Sequence, residues 1–302
     1  MSKKTREIVT TTTVLVLIVL FVAFYIVYPL ISVRKAVERP DGGKFDDPEY
    51  TLENDAAFFN DLGFQPDTFD MTTDDNIRLA ALYFHPDTAL YDSIRGTAVL
   101  IHSSDSNRTS LSAYLNPLLD SGLAVVLYDQ RASGFSGGRY HSGGIYEADD
   151  LNQLIVHLKY RELIPRPLFA VGFELGADAA IYASEEEMRI DEVIAVNPHL
   201  TINRWITKVK ENRGLLPIPF YRMVYFWWYK KITGFPLDRT GPDDINPVPS
   251  RTLLIMSQAD LDGEEAGKLR EVSGDLVNTL PRPATDDMLR DAILGEIYQK
   301  LE

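Results

Sequence analysis

Short apolar runs alternate with longer segments of helical period from residue 96 onward. The apolar runs are Ala98–Ile101, Ala124–Tyr128, Leu168–Val171, Val193–Val196 and Leu253–Met256. The helical segments are Arg108–Leu119, Ile145–Tyr160, Ala177–Glu187 and Glu264–Val272. Continuous apolar strands separated by helices are typical of a mostly parallel sheet with helices on both faces. The pattern therefore predicts an α/β domain, which we place at residues 51–302.

Further elements flank this alternation. They are a short helix at Thr51–Leu62, hairpin strands at Thr68–Thr72 and Ile77–Phe84, a last strand at Asp275–Thr279 and a C-terminal helix at Thr285–Leu301. The hairpin is predicted because two alternating runs enclose the turn sequence Thr-Asp-Asp-Asn. Residues 201–240 interrupt the alternation, and we predict that they form a small helical cap.

The N-terminal segment has a different pattern. An uncharged stretch from Ile8 to Val33 follows Lys3, Lys4 and Arg6. Such a stretch is long enough to cross a ~30 Å hydrocarbon layer as a helix. We predict a transmembrane anchor at residues 1–33 and a polar linker at residues 34–50. A cleavable signal peptide is the alternative, although its apolar part is usually only ~7–15 residues long and ends at small residues.

Composition narrows the functional classes. Hydrophobic residues make up 45% of the chain, which is enough to form a core. The absence of cysteine excludes disulfides, thiolate metal sites and a cysteine nucleophile. A net charge of -14 argues against a nucleic-acid partner. No histidines and carboxylates have a metal-ligand spacing, so we predict neither a metal nor a cofactor.

The predicted cap is unusual in its charge. Residues 201–239 contain eight Lys or Arg and two Asp or Glu, a net charge of +6 in an acidic chain. Residues 220–231 also combine aromatic rings with basic side chains. The aromatic rings can pack the cap onto the core. They can instead contact a membrane, where Trp and Tyr lie at headgroup level and Lys meets anionic lipid.

Several motifs occur in an order that resembles the α/β-hydrolase superfamily. They are Leu62-Gly63-Phe64, the segment from Thr72 to Leu79, Val99-Leu100-Ile101-His102-Ser103, and the segment from Tyr128 to Gly138. They are similar to motifs of membrane-anchored α/β-hydrolase-domain proteins, acylglycerol lipases and serine aminopeptidases. The resemblance extends over residues 52–302. It implies an α/β-hydrolase fold and an oxyanion-loop region that includes His102, Ser103 and Leu175.

The nucleophile motif of this fold is altered. Gly172-Phe173-Glu174-Leu175-Gly176 follows a strand and precedes a helix, as the Gly-x-Ser-x-Gly elbow does. Glu174 therefore occupies the serine position, and its negative charge opposes a developing oxyanion. Gly134-Phe135-Ser136-Gly137-Gly138 matches the motif by letters, but it lies in a loop without the strand and helix of an elbow.

The acid and the base complete the comparison. Asp260 matches the acid position, with Asp262 as a near alternative. The base would follow the last strand near Arg282, but no histidine occurs after His199. His199 is the one histidine that we would consider near a pocket. Loss of the serine or the histidine of a triad typically costs about 10⁶ in turnover.

We therefore predict a single-pass membrane protein whose domain lies on the extracytoplasmic side. The leading hypothesis is a catalytically inactive pseudohydrolase that binds a lipid, peptide or protein ligand. One alternative is an active hydrolase of ester, amide or lipid substrates that uses Glu174 as nucleophile or general base. A second is a structural membrane protein whose pocket has closed. A buried Glu174 would need a partner such as Arg131 or Arg108, or else wide access to solvent.

Overall fold

The computed structural model describes residues 2–39, 52–86, 91, 93–185, 190–212, 222–234 and 244–301. Eight strands form one sheet in the order β1-β2-β4-β3-β5-β6-β7-β8. They are β1 (Asp67–Thr72), β2 (Arg78–Phe84), β3 (Gly96–Ile101), β4 (Leu123–Tyr128), β5 (Leu168–Phe173), β6 (Glu192–Val196), β7 (Arg251–Met256) and β8 (Val277–Pro281). Strand β2 is antiparallel to both of its neighbours, β1 and β4. The remaining neighbours, β4-β3-β5-β6-β7-β8 in sheet order, pair in parallel. The predicted hairpin and mostly parallel sheet are confirmed.

Helices cover both faces of the sheet. The described helices are α1 (Lys3–Val22), α2 (Tyr28–Val37), α3 (Leu52–Asp61), α4 (Leu115–Asp120), α5 (Ile145–Tyr160), α6 (Leu175–Ser184), α7 (Ile202–Asn212), α8 (Arg222–Thr233), α9 (Gln258–Leu261), α10 (Glu264–Ser273) and α11 (Asp286–Leu301). Helix α1 has no buried residue and does not cover the sheet. One apolar cluster joins α5, α6 and α10 to the cap helices α7 and α8. The other packs α4 and α11 against the opposite face. These two clusters bury the continuous apolar strands on both sides, as a parallel sheet requires.

Two predicted elements differ in detail from the observed ones. The predicted helix at Arg108–Leu119 begins as a 3₁₀ helix, Arg108–Tyr114, and becomes α-helical only at Leu115. Asn107 accepts a hydrogen bond from the N–H of Thr109 at 2.9 Å, and Ser110 Oγ donates to the carbonyl of Asn107 at 2.7 Å. Such side-chain bonds compete with the α-helical ladder. The last strand starts at Val277 because residues 274–276 form a 3₁₀ turn.

The N-terminal helix is longer than the predicted anchor. Helices α1 and α2 join through a π-helical turn, Ala23–Val27, into one helix that spans Lys3–Val37 and is long and apolar enough to cross a membrane. From Pro29 onward its side chains are increasingly buried, and Val33 and Val37 are completely buried in the domain. The predicted linker at residues 34–50 is therefore helical and packed at its start. Residues 40–50 of that linker lie outside the described residues.

The end of α2 forms hydrogen bonds with the loop after β4. The Arg39 guanidinium is buried and donates to the carbonyls of Gly134 at 2.6 Å and Ser136 at 3.2 Å. The backbone N–H of His141 donates to the carbonyl of Val37 at 2.7 Å. These bonds join a hydrophobic helix to a polar loop of the domain, so residues 33–39 belong structurally to the domain.

The loop before α5 is hydrogen-bonded to the cap helix α8. Tyr229 of α8 donates its hydroxyl to the carbonyl of Ser142 at 2.6 Å. Ser142 in turn donates Oγ–H to the Glu147 carboxylate at 2.5 Å, and the N–H of Gly144 donates to it at 3.0 Å. Burial would raise the pKa of Glu147, but the neighbouring His141 and Arg131 side chains and the hydrogen bond from Ser142 lower that pKa to about 2. Glu147 is therefore an ionised acceptor that fixes the loop beneath the cap.

We predict that Arg39→Ala destabilises the domain. The substitution removes two charge-assisted hydrogen bonds and leaves buried carbonyls without them, at a cost of about 1.5–3 kcal/mol. The measurement is the free energy of unfolding of the full chain in detergent micelles. The control is Arg34→Ala, because Arg34 is half exposed and its ion pair with Glu38 at 3.6 Å lies at the surface. Equal stability of the two variants would contradict the docking of α2.

Candidate active site

The nucleophile elbow is present with a glutamate at its apex. Strand β5 ends at Phe173, helix α6 begins at Leu175, and Glu174 between them has φ 51° and ψ −110°. The Glu174 N–H continues the sheet by donating to the carbonyl of Val196 at 2.8 Å. Its carbonyl accepts the first helical bonds, from Ala177 at 3.0 Å and Asp178 at 3.1 Å. A non-glycine residue in this region of backbone conformation carries strain of about 1–3 kcal/mol.

Two glycines make this turn possible. A Cβ at Gly172 would overlap the backbone of Gly176 and Ala177, and a Cβ at Gly176 would overlap the carbonyls of Ile101 and His102. The helix α6 can therefore approach β3 and β5 only because both positions lack a side chain. The elbow thus keeps the backbone geometry of its motif, and only the side chain at its apex is changed.

Glu174 lines a cavity of about 400 Å³ at the carboxyl edge of the sheet. Its lining residues come from the segment after β3, from the ends of β5 and β6, and from the segment after β8: Ser103, Ser106, Ser110, Leu111, Ala113, Tyr114, Phe173, Glu174, Val196, Asn197, Arg282, Asp286, Asp287, Leu289 and Arg290. The Glu174 side chain is exposed, which agrees with solvent access rather than burial. Neither suggested partner lines the cavity: Arg131 binds Asp150 and Asp75, and Arg108 lies 3.7 Å from Asp129.

The two arginines of the cavity form ion pairs, whereas Glu174 does not among the described residues. Arg282 Nη2 lies 3.5 Å from Asp286 Oδ1, and Arg290 Nη2 lies 2.9 Å from Asp287 Oδ1. Among the residues that the structure describes, Glu174 has no ion pair. The rings of Tyr114 and Phe173 form an aromatic wall, with centroids 5.5 Å apart. Burial and the charge of Asp286 raise the pKa of Tyr114 to about 12, so its hydroxyl stays protonated.

The predicted oxyanion-loop residues have different surroundings. His102 is fully buried, donates from Nδ1 to the carbonyl of Ser103 at 2.6 Å, and accepts at Nε2 from the N–H of Gln130 at 3.0 Å. Burial lowers the pKa of His102, which keeps the ring neutral in this tautomer. Ser103 lines the cavity, whereas the Leu175 side chain is buried in the core. His102 thus positions the loop without contacting the cavity.

The acid and base positions are both associated with arginine. Asp260, at the acid position, forms an ion pair with Arg204 of the cap helix α7, and Glu265 lies 3.4 Å from the same guanidinium. Arg282 directly follows β8 and lines the cavity, near the place where the resemblance puts the histidine. Sequence reasoning did not identify the Arg204 ion pair or the contribution of α11 to the cavity. Both depend on contacts between residues far apart in the chain.

The remaining histidine and serine candidates have structural partners. His199 Nδ1 lies 2.6 Å from Asp178 Oδ2, and the N–H groups of His199 and Leu200 both donate to Asp178 Oδ1 at 2.8 Å. Asp178 therefore stabilises the turn after β6, and His199 is not among the residues that line the cavity. Ser136 is buried, donates to the carbonyl of Asp129 at 2.5 Å and accepts from the N–H of Ala80 at 2.9 Å.

Comparison with known proteins identifies the fold. No protein-family model matches this chain. The uncharacterized protein YqkD of Bacillus subtilis is 40% identical over 63 residues, which are 21% of this chain and 21% of that protein. The match thus spans about a fifth of the curated relative's length.

Solved structures match over most of the chain. An esterase from Pyrococcus furiosus has 21% identity and a TM-score of 0.58, and the match covers 80% of this chain and 91% of the esterase. An α/β hydrolase from Penicillium has 14% identity and a TM-score of 0.55, with 78% and 98% covered. A 2,6-dihydroxy-pseudo-oxynicotine hydrolase has 14% identity and a TM-score of 0.57, with 83% and 71% covered. The chain has the α/β-hydrolase fold, as predicted.

Proposed function

We propose that this chain is a membrane-tethered α/β-hydrolase-fold binding module that does not catalyse hydrolysis by a serine mechanism. The observation that carries the proposal is the elbow, where Glu174 occupies the strained apex and faces the cavity. A carboxylate at this position places negative charge where an oxyanion would develop. The fold alone does not imply a function, so the proposal rests on the side chains at the site.

The other two triad positions support the same conclusion. Arg282 lies near the implied position of the base, and an arginine side chain has donors but no acceptor for a proton. Asp260 forms an ion pair with Arg204, and the sequence after it contains no histidine for it to orient. A nucleophile, a base and an available acid are needed together, because triad members act as a unit.

The packing of α2 supports an uncleaved tether. Cleavage within the apolar stretch, as for a signal peptide, would sever the helix whose end packs Val33 and Val37 into the core. Arg39, two residues beyond the end of that helix, donates hydrogen bonds to the loop after β4. These packed residues are expected to be retained in the mature protein, and the apolar stretch continues from them as one helix.

The cavity favours a ligand with a cationic or hydrogen-donating head. Among the described residues, no cationic side chain forms an ion pair with the Glu174 carboxylate. The two arginines of the cavity, by contrast, each lie beside an aspartate. Tyr114 and Phe173 offer aromatic surface beside it. An ammonium group joined to an aromatic or apolar body would satisfy both features.

The first prediction concerns turnover. We expect the full chain in nanodiscs to hydrolyse none of a panel of short- and long-chain esters, amides and lipids, and Glu174→Gln to be equally inactive. Glu174→Ser combined with Arg282→His supplies a serine and a histidine but leaves Asp260 paired with Arg204, so we expect it to be inactive as well. An active serine hydrolase is the positive control. If the parent turns over a substrate and Glu174→Gln abolishes this, the altered-chemistry alternative is correct.

The second prediction concerns ligand charge. We expect phenethylammonium to bind more tightly than phenylacetate in isothermal titration, and Glu174→Gln to weaken the amine by roughly two- to fivefold, the range for an exposed ion pair. Asp275→Asn is the matched control, since Asp275 is an exposed acid outside the cavity. Preference for phenylacetate, or equal effects of the two substitutions, would show that Glu174 does not select the ligand.

A further inference from the structure

Helix α8 has one buried and one exposed face. Tyr225, Phe226 and Tyr229 are buried against the core, α2 and the loop before α5. The outer face consists of Met223, Trp227, Lys230 and Lys231, which are all exposed. Met223 is 82% exposed and Trp227 is 53% exposed, which is unusual for such large apolar side chains. The aromatic residues of α8 therefore divide between core packing and an exposed surface.

The chemistry of the outer face fits a membrane interface. Lys231 Nζ lies 5.9 Å from the centre of the Trp227 ring, and the Trp227 and Trp228 rings are 4.6 Å apart. Helix α8 contains three basic and no acidic residues. Tryptophan beside lysine is the combination that lies at headgroup level, where the indole is half buried and the ammonium reaches anionic lipid.

The length of the N-terminal helix positions this face. From Ile8 to Tyr28 its residues are uncharged and exposed or half buried, and from Pro29 onward the helix packs against the domain. These 21 residues span about 31 Å at the helical rise, which matches a hydrocarbon core of ~30 Å. The domain must then begin at the membrane surface, and α8 packs directly on α2 at that level.

We propose that the outer face of α8 lies in the headgroup layer of the bilayer that holds the anchor, and contacts anionic lipid. The inference rests on the tether of the proposed function. Residues 201–239 carry +6, whereas the rest of the chain carries -20. An anionic surface therefore attracts the cap and repels the remainder of the domain. This fixes the orientation of the domain on the membrane.

The absence of cysteine allows a direct test with the full chain. An environment-sensitive fluorophore is attached at Met223→Cys, Leu17→Cys or Tyr160→Cys, and the protein is reconstituted into phosphatidylcholine vesicles with or without phosphatidylglycerol. Quenching by nitroxide-labelled lipid reports contact. Leu17 reports insertion of the anchor. Tyr160 is the control. It is 86% exposed and ends α5, the helix whose first residues follow the loop that contacts α8.

We expect quenching at positions 17 and 223 but not at 160. Lys230→Glu with Lys231→Glu should reduce quenching at 223 at least about twofold on phosphatidylglycerol vesicles, without changing quenching at 17. Quenching at 17 with none at 223 would overturn the inference and leave the tether intact. Absence of quenching at 17 would overturn both. Unchanged quenching after the double charge reversal would overturn recognition of anionic lipid.

Discussion

The close approach of α6 to β3 and β5 is the constraint on which the site depends. It requires glycine at positions 172 and 176, and it forces residue 174 into a strained backbone conformation at the mouth of the cavity. Such strain persists only when the surrounding structure holds it in place. The sheet and helix therefore present whatever side chain stands at position 174. In this chain that side chain is a carboxylate, so the geometry of a catalytic turn is retained with a different chemistry at its apex.

The resemblance also implies an acid and a base position. Arg282 lies near the implied base position and lines the cavity, whereas Asp260, at the implied acid position, forms an ion pair with Arg204 of the cap. An exposed ion pair such as Arg204–Asp260 contributes only about 0–1 kcal/mol, so its main consequence is to link the cap to the domain. The same cap is joined to the loop before α5 by Tyr229, and α2 is joined to the loop after β4 by Arg39. These contacts join the helix α2 and the cap to the domain.

The sequence predicted the elements whose patterns are local. Continuous apolar runs identified the parallel strands, and the glycine spacing identified the elbow, because both are local properties of the chain. The sequence did not reveal that the apolar stretch from Ile8 to Val33 is exposed in its first part and packs on the domain in its last part. Both parts are equally apolar, so composition does not distinguish them. The Arg204–Asp260 pair, which joins residues 56 positions apart, was equally hidden. Charge identified the cap as distinct, but only burial divides its aromatic residues between the core and the outer face.

The most direct test of the central claim, that no serine of this chain acts as a nucleophile, is covalent labelling of the full chain with a fluorophosphonate. The measurement is the intact mass of the protein after incubation, with an active serine hydrolase as a positive control. Our account predicts an unchanged mass, because Glu174 stands at the apex of the elbow and Ser136 is buried with both hydrogen bonds engaged. A stoichiometric adduct on a serine would contradict the account and would identify the nucleophile.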